Sequence, residues 1–293
     1  MYKYLLQHPD IYMTMKEPHF FGRDLTFKRY RRISCEKDYL RLFEGTEDVR
    51  RRGEASVWYL YSRTAADEIK QYSSSPKIII LLRNPVDMMY SLHGHNLLHG
   101  RENIRDFLTA LEAEPQRRRG QNVPKGVDII QELFYRYVST YSPHVERYLS
   151  TFGRDAVHII LFDDFKNDIL KTYRALLDFL KVDPRFVPDL EVHNPQKRAR
   201  IEILNTPPYR AIQVAKAIMP ASLRSQLRQT IQYFNQVEAQ RSPLDADLRC
   251  QLQREFASEV DHLSKLIDRD LGIWLLKTVE TKSHSCARHC NGA

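Results

Sequence analysis

The amino-acid sequence predicts an α/β fold in which helices flank a parallel β-sheet. Two apolar runs, Lys77–Leu82 and Val157–Phe162, are too short for helices and too apolar for half-exposed strands. We interpret them as strands buried on both faces, as in a parallel sheet. Longer amphipathic stretches alternate with such runs, which is typical of this class. Ala55–Leu60 and Ile11–Thr14 are weaker strand candidates.

Helices are predicted in the segments between and after these strands. Their expected bounds are Glu36–Phe43, Thr64–Tyr72, Pro85–His99, Asn103–Glu112, Val127–Phe152 and Lys166–Leu180. Arg117–Gly126 is polar and interrupted by glycine and proline, so a mobile loop is predicted there. A long helix is predicted after Ser242-Pro243, because apolar residues recur at threes and fours from Leu244 to Ile267.

Composition places the chain among globular proteins, with 293 residues, 42% hydrophobic and 28% charged. The net charge of +8 favours an anionic partner. Nucleic acid is not expected, because no zinc-finger or RNA-recognition motif accompanies the charge. No apolar run is long enough to span a bilayer, and no secretory signal is visible. The four cysteines are scattered, unlike a disulfide framework, so a cytoplasmic location is expected.

The segment after the first apolar run combines a cation with a helix start. Asn84 is a favourable N-cap, Pro85 suits the first helical position, and Ser91 follows two turns later on the same side. Arg83 therefore stands where backbone N–H groups, the helix dipole and a guanidinium converge, which predicts an anion site. The alternative is an ordinary strand–loop–helix in which Arg83 has only a structural role.

The sequence RNPVDMMYS, from Arg83 to Ser91, resembles the 3′-phosphate-binding motif of sulfotransferases that use 3′-phosphoadenosine 5′-phosphosulfate (PAPS). In that family the arginine and the later serine hold the 3′-phosphate of the donor, and they match Arg83 and Ser91. Met88 stands where a basic residue is often found. The resemblance therefore favours the anion-site interpretation.

Further segments resemble the bacterial and heparan-sulfate-sulfotransferase-like branch of the family, in the expected order. They are YKYLLQHPDIYMTMKEPHFF, GEASVWYL, LFDDF, VDPRFVP, VHNPQKRAR and RDLGIW. The resemblance implies a P-loop-NTPase-like parallel sheet flanked by helices, in one domain over residues 1–276. Residues 277–293 are predicted to be a disordered tail.

The resemblance also implies roles for individual residues. Glu17 matches the glutamate before the HFF segment and is the candidate catalytic base. Lys16 and His19 are candidates for the acceptor side of the site. Lys197 and Arg198 fall in a basic loop that closes over the nucleotide in the family. The implied partners are PAPS as donor and a hydroxyl- or amine-bearing acceptor, of which a glycan is one class. The family requires no catalytic metal.

One part of the family pattern is missing from this sequence. Members begin with a strand and a lysine- and glycine-containing loop that cradles the 5′-phosphosulfate, whereas Met1 falls where the next helix is already under way. We expect that the start of the sequence is truncated, and that a chain without this strand and loop is inactive by itself. The alternative is a degenerate, catalytically inactive copy that binds adenosine bisphosphate or a polyanion. A nucleotide kinase shares the architecture, but its Walker lysine and magnesium-binding acids are not found.

Two histidine-containing segments have spacings compatible with zinc. His95 and His99 are four apart on a predicted helix, but no third ligand is evident. The tail contains His284, Cys286, His289 and Cys290 without a fold to assemble them. No metal site is therefore predicted.

Overall fold

The protein is described from a computed structural model. Residues 1–28, 32–190 and 242–275 are described, together with the backbone of two short strands at 197–199 and 236–238. Within the described helices, none is long and apolar enough to cross a membrane.

Six strands form three two-stranded sheets in the described part of the chain. β1 (Ile11–Lys16) pairs in parallel with β2 (Arg51–Ala55). β3 (Ile78–Leu82) pairs in parallel with β4 (Val157–Leu161), residue for residue along their length. The short strands β5 (Lys197–Ala199) and β6 (Gln236–Glu238) pair antiparallel.

The helices lie mainly between and after the parallel strands. In chain order they are α1 (Tyr2–Leu5), α2 (Glu36–Arg41), α3 (Ala65–Tyr72), α4 (Pro85–Leu98), α5 (Phe107–Glu112), α6 (Glu114–Arg118), α7 (Tyr135–Ser139), α8 (Ser142–Phe152), α9 (Phe162–Asn167), α10 (Ile169–Leu180), α11 (Ala246–Glu255) and α12 (Ala257–Ile267). This α/β architecture with parallel pairs and crossover helices is the predicted fold class.

The core connects the two parallel pairs through helices. Leu176 and Leu177 of α10 are fully buried in a cluster that contains Ile11 of β1 and Ile160 of β4. A larger cluster packs β3 and β4 against α4, α8, α11 and α12. Because the parallel pairs share this packing, the carboxyl ends of β1 and β3 are both fixed to the core.

Three strand predictions are confirmed, and one is wrong. The strands near Ile11, Lys77 and Val157 are present. The strand expected at Ala55–Leu60 instead ends at Ala55, and Val57–Tyr61 forms a 3₁₀ turn. The turn buries the ring of Tyr59, whose hydroxyl donates to the Glu54 carboxylate at 2.9 Å. This side-chain bond fixes a bend that strand propensity does not reveal.

The single helix predicted over Val127–Phe152 is wrong. The segment contains a 3₁₀ turn at Ile130–Leu133, then α7, then α8. The Glu114 carboxylate accepts a bond from the backbone N–H of Arg136 at 2.9 Å, so a side chain from α6 satisfies an amide at the start of α7. Pro143 opens α8, which is a favourable position for proline at a helix start.

Other predicted helices begin later or divide at a capping or turning residue. Asp106 and Asp168 each accept a backbone bond as N-caps, so helices begin at Phe107 and Ile169 within the two predicted stretches. The long helix predicted from Leu244 to Ile267 is two helices, α11 and α12, that join at Phe256.

The mobile loop predicted at Arg117–Gly126 is wrong at its beginning. Arg117 lies inside α6, and its side chain is 0% exposed. Its guanidinium forms two bonds of 2.7 Å with the Glu102 carboxylate, which also accepts from Tyr135 Oη at 2.7 Å. A composition-based prediction does not detect a buried ion pair of this kind.

Candidate functional site

The chain makes a strained turn directly after β1. Glu17 and His19, on either side of Pro18, have φ values of 60° and 50°. Residues with a Cβ seldom adopt positive φ, and such strain is concentrated at functional sites. The Glu17 N–H donates to the Ala55 carbonyl at 2.8 Å, so the turn is attached to the end of β2. This places the KEPHFF segment at the carboxyl edge of the β1–β2 pair, as expected for a site in an open α/β fold.

The side chains of Glu17 and His19 contact each other at this turn. His19 Nε2 lies 3.2 Å from Glu17 Oε2, and the Val57 N–H donates to the same oxygen at 3.2 Å. His19 is 3% exposed and stacks on Phe27 with ring centroids 4.3 Å apart. The contact orients the carboxylate, because both donors approach one oxygen.

Burial shifts the pKa values of both groups toward their neutral forms. Burial raises the pKa of Glu17, against the opposing Val57 N–H and the Lys16 charge. Burial lowers the pKa of His19 to about 4. His19 is therefore neutral near pH 7, and its Nε2–H is the donor to an ionised Glu17. The pair provides a carboxylate of increased basicity that is held by a neutral imidazole.

A half-buried carboxylate that the sequence analysis missed supports the turn. Glu54 accepts hydrogen bonds from Tyr39 Oη at 3.0 Å, Tyr59 Oη at 2.9 Å and Ser56 Oγ at 2.7 Å. The Ser56 hydroxyl in turn accepts from the His19 backbone N–H at 3.3 Å. Glu54 thus connects to the turn through Ser56. Its position inside the GEASVWYL segment was the available signal.

Lys16 is exposed beside the turn. Its Nζ lies 4.9 Å from the centroid of the Tyr2 ring. Its charge lowers the pKa of Glu17 and, after burial, the pKa of the Met1 amino group, which is about 6. Lys16, Glu17 and His19 therefore lie together at the end of β1. Their roles in the site stay predictions.

A second group of candidates lies at the end of β3. Arg83 follows the strand directly, and its guanidinium carbon lies 5.0 Å from the centroid of the Phe162 ring at the start of α9. Asn84 caps α4 by accepting from the Val86 N–H at 3.0 Å. Within the described parts of the chain, the half-buried Arg83 forms no ion pair.

Ser91 lies on α4, which runs unbroken from Pro85 to Leu98 as predicted. The side chain is half-buried and is two helical turns from the cap at Asn84. Ser91 and the Arg83 junction are thus joined by one continuous helix. Their proposed role in holding one phosphate stays a prediction.

The structure describes less of the remaining candidate residues. The backbone of Lys197 and Arg198 lies in β5, and their side chains fall outside the described residues. The His284–Cys290 segment and the whole predicted tail also fall outside them. The rings of His95, on α4, and His99, the C-cap that follows it, are 4.1 Å apart. In the described part of the chain, no three histidine, cysteine or acidic residues form a metal-binding group.

Comparison with known proteins identifies the family to which this fold and site belong. The sequence profile of the sulfotransferase domain family matches residues 13–200. The crystal structure of a sulfotransferase from Alicyclobacillus acidocaldarius is 31% identical, with a TM-score of 0.68, over 93% of this chain and 91% of that chain. The chain therefore belongs to the sulfotransferase family, whose reaction is the transfer of a sulfo group. Its fold is accordingly the P-loop-NTPase-like fold expected from the sequence.

Other comparisons add little. The sulfotransferase domain from the curacin biosynthetic pathway is 16% identical, with a TM-score of 0.36, over 52% of this chain and 45% of that chain. That likeness is too weak to carry an argument. No curated protein sequence matches the chain significantly. Membership of the heparan-sulfate-like branch stays a prediction.

Proposed function

We propose that the protein transfers a sulfo group from PAPS to a hydroxyl or amine acceptor. The observation that carries this proposal is Arg83, a half-buried guanidinium at a helix start that has no ion-pair partner in the described structure. Backbone N–H groups at the start of α4 and this cation together suit a phosphate group, such as the 3′-phosphate of the donor. Ser91 is the proposed hydroxyl contact to the same phosphate.

Glu17 is the proposed general base at the acceptor. The acceptor oxygen or nitrogen attacks the sulfur atom as the sulfur–oxygen bond to the donor phosphate breaks. Glu17 takes the proton from the acceptor, and adenosine 3′,5′-bisphosphate leaves. The raised pKa of Glu17 supports this role, because a stronger base accepts the proton more readily. His19 keeps the carboxylate oriented, and Lys16 lies beside it for a contact to the acceptor or its negative charge.

The class of acceptor and the cellular location are proposed without a specific contact in the structure. A glycan hydroxyl is proposed by analogy with the heparan-sulfate-like branch, and an amine is equally compatible with a carboxylate base. Lys197 and Arg198 are proposed to cover the bound nucleotide. A cytoplasmic location remains a prediction from the sequence.

The second candidate function is binding without catalysis. In the described residues, no strand is followed by a lysine- and glycine-containing loop of Gly-Thr-Thr/Ser character, which the family uses at the 5′-phosphosulfate. A chain that holds a nucleotide only through Arg83 and Ser91 would bind adenosine bisphosphate and leave PAPS intact. An assay of PAPS-dependent sulfation with the purified chain and a panel of hydroxyl and amine acceptors separates the two functions.

Calorimetric titration with adenosine 3′,5′-bisphosphate tests the donor site. We expect Arg83→Ala to weaken binding by about tenfold to a hundredfold, as for loss of one charge-assisted contact to phosphate. Arg41→Ala is the matched control, because it removes the same charge from an exposed site on α2. Equal affinity of the wild type and a folded Arg83→Ala variant would eliminate the proposed phosphate site.

A further inference from the structure

Three carboxylates flank the junctions that position Arg83. Asp87 lies in the first turn of α4, directly after the arginine. Asp163 and Asp164 lie in the first turn of α9, next to the Phe162 ring on which the guanidinium stacks. An unengaged carboxylate at any of these positions would attract Arg83 and repel an incoming phosphate.

Each of these carboxylates is bound by a different residue of one C-terminal segment. Arg249 donates to Asp87 at 2.7 Å, and Arg269 donates to Asp164 at 2.7 Å. The indole Nε1–H of Trp274 donates to Asp163 at 2.7 Å. We refer to residues 245–274, which contribute all three donors, as the C-terminal brace.

The brace also holds the start of α4 through Trp274. Its carbonyl accepts from Asn84 Nδ2 at 3.0 Å and from Gln253 Nε2 at 3.1 Å, and the side chain is 2% exposed. The other end of the Asn84 amide caps α4 at Val86. Trp274 therefore connects the junction that carries Arg83 with the junction that carries Phe162.

We propose that the C-terminal brace is a positioning element of the anion site. It fixes the two junctions and engages the three nearby carboxylates, so that Arg83 is left to bind a phosphate. The inference rests on the proposed function, since it deepens the role of Arg83. It also accounts for the RDLGIW segment, in which Arg269 and Trp274 are the two donors to α9. The proposed engagement of the three carboxylates distinguishes this role from simple packing of a terminal helix.

The test uses Trp274→Phe, which keeps an aromatic ring and removes the Nε1–H. The affinity for adenosine 3′,5′-bisphosphate is compared with the affinity for adenosine 5′-monophosphate, so that the ratio isolates the 3′-phosphate. We expect this ratio to fall by about threefold to tenfold, as for one released and partly screened charge. Adding Asp163→Asn to Trp274→Phe should restore most of the ratio, because the released negative charge is then absent.

Two further variants separate electrostatics from folding. Arg249→Ala should lower the ratio, and Arg249→Ala with Asp87→Asn should recover it. Arg136→Ala is the matched control, because it breaks the 2.5 Å pair with Glu255, which attaches α11 to α7 without involving a carboxylate beside Arg83. We expect this control to leave the ratio unchanged. Thermal denaturation of every variant verifies that it is folded.

The outcomes distinguish the inference from the proposed function. A ratio that stays low in Trp274→Phe/Asp163→Asn, or falls equally in Arg136→Ala, would show that the segment only stabilises the fold, and would overturn the inference. A wild-type protein that does not distinguish the two nucleotides, or Arg83→Ala that distinguishes them as well as the wild type, would overturn the proposed donor site and the brace with it.

Discussion

His19 Nε2 lies 3.2 Å from Glu17 Oε2 across a turn in which both residues have positive φ. This geometry combines backbone strain, a buried imidazole and a partly buried carboxylate at the end of one strand. Burial raises the pKa of Glu17 and lowers that of His19 to about 4, so the imidazole stays neutral while the carboxylate gains basicity. The pair is suited to accept a proton from a substrate at neutral pH.

Glu17→Gln is expected to reduce turnover while leaving nucleotide affinity nearly unchanged. An amide keeps the size of the side chain and cannot accept the proton, so a loss of about two to four orders of magnitude in kcat is expected. Sulfation rates and calorimetric titration of an active preparation measure the two quantities. Full turnover in the variant would mean that another group, or solvent, takes the proton from the acceptor.

A second prediction concerns stability in acid. His144 is buried between the rings of Tyr61 and Tyr137, each with its centroid 5.1 Å away, and burial lowers its pKa to about 4. The unfolded chain protonates this histidine near its ordinary pKa of about 6.5, whereas the folded chain does not. The stability contribution is therefore fully present above about pH 6.5 and is lost as the pH falls toward 4.

His144→Phe removes this titrating group and keeps an aromatic ring in the same cage. The urea midpoint of the variant should fall less than that of the wild type between pH 6.5 and pH 4, the two values that bound its titration. His19 is buried with a similarly lowered pKa, so some acid sensitivity should persist. If the urea midpoints of the two proteins fell equally between pH 6.5 and pH 4, His144 would not be the source of the acid sensitivity.

Local signals in the sequence predicted β3, β4 and the start of α4. An apolar run, a capping asparagine and a first-turn proline act within a few residues of one another, so they can be read without the fold. Arg83 was singled out by its position between an apolar run and a helix start, and the resemblance then favoured its anion-binding role. Glu17 was found by resemblance to a family motif. Their placement at the ends of β3 and β1 then follows from the parallel arrangement of the strands.

The structural features that the sequence did not predict depend on contacts between distant segments. The Glu114 bond that interrupts the predicted helix spans 22 residues, and the Trp274 bond to Asp163 spans 111. Burial of Arg117 requires the Glu102 carboxylate, which also accepts from Tyr135, so three separate segments have to meet. No local pattern marks such partners, because glutamate, aspartate and arginine mostly lie on exposed surfaces.

The Glu102–Arg117 pair leads to a stability prediction. Both side chains are 0% exposed, so Arg117→Met leaves a buried carboxylate with only part of its bonding. A loss of about 3–5 kcal/mol in the free energy of unfolding is expected. The double variant Glu102→Leu/Arg117→Met should be much closer to the wild type, since no unpaired charge remains. Urea denaturation measures both, and a single variant as stable as the wild type would be inconsistent with a closed pair.

The last prediction concerns Glu54, whose bonds to Ser56 and Tyr59 hold the Glu17 turn. Glu54→Gln should lower kcat, because an amide cannot accept all three hydroxyl bonds and the turn loses its fixed geometry. Burial is the largest cause of the raised pKa of Glu17, and the negative charge of Glu54 raises it further. Glu54→Gln should therefore also shift the acid limb of the profile, the fall in kcat at low pH as Glu17 is protonated, to lower pH.

The charged groups that act on Glu17 are Lys16 and Glu54, and only Glu54 is changed in this variant. Tyr39→Phe is the matched control, because it removes one bond to Glu54 and keeps the charge and the link through Ser56. Its acid limb should coincide with that of the wild type. A limb that shifts equally in both variants would mean that loosening of the turn, rather than the Glu54 charge, sets the pKa of Glu17.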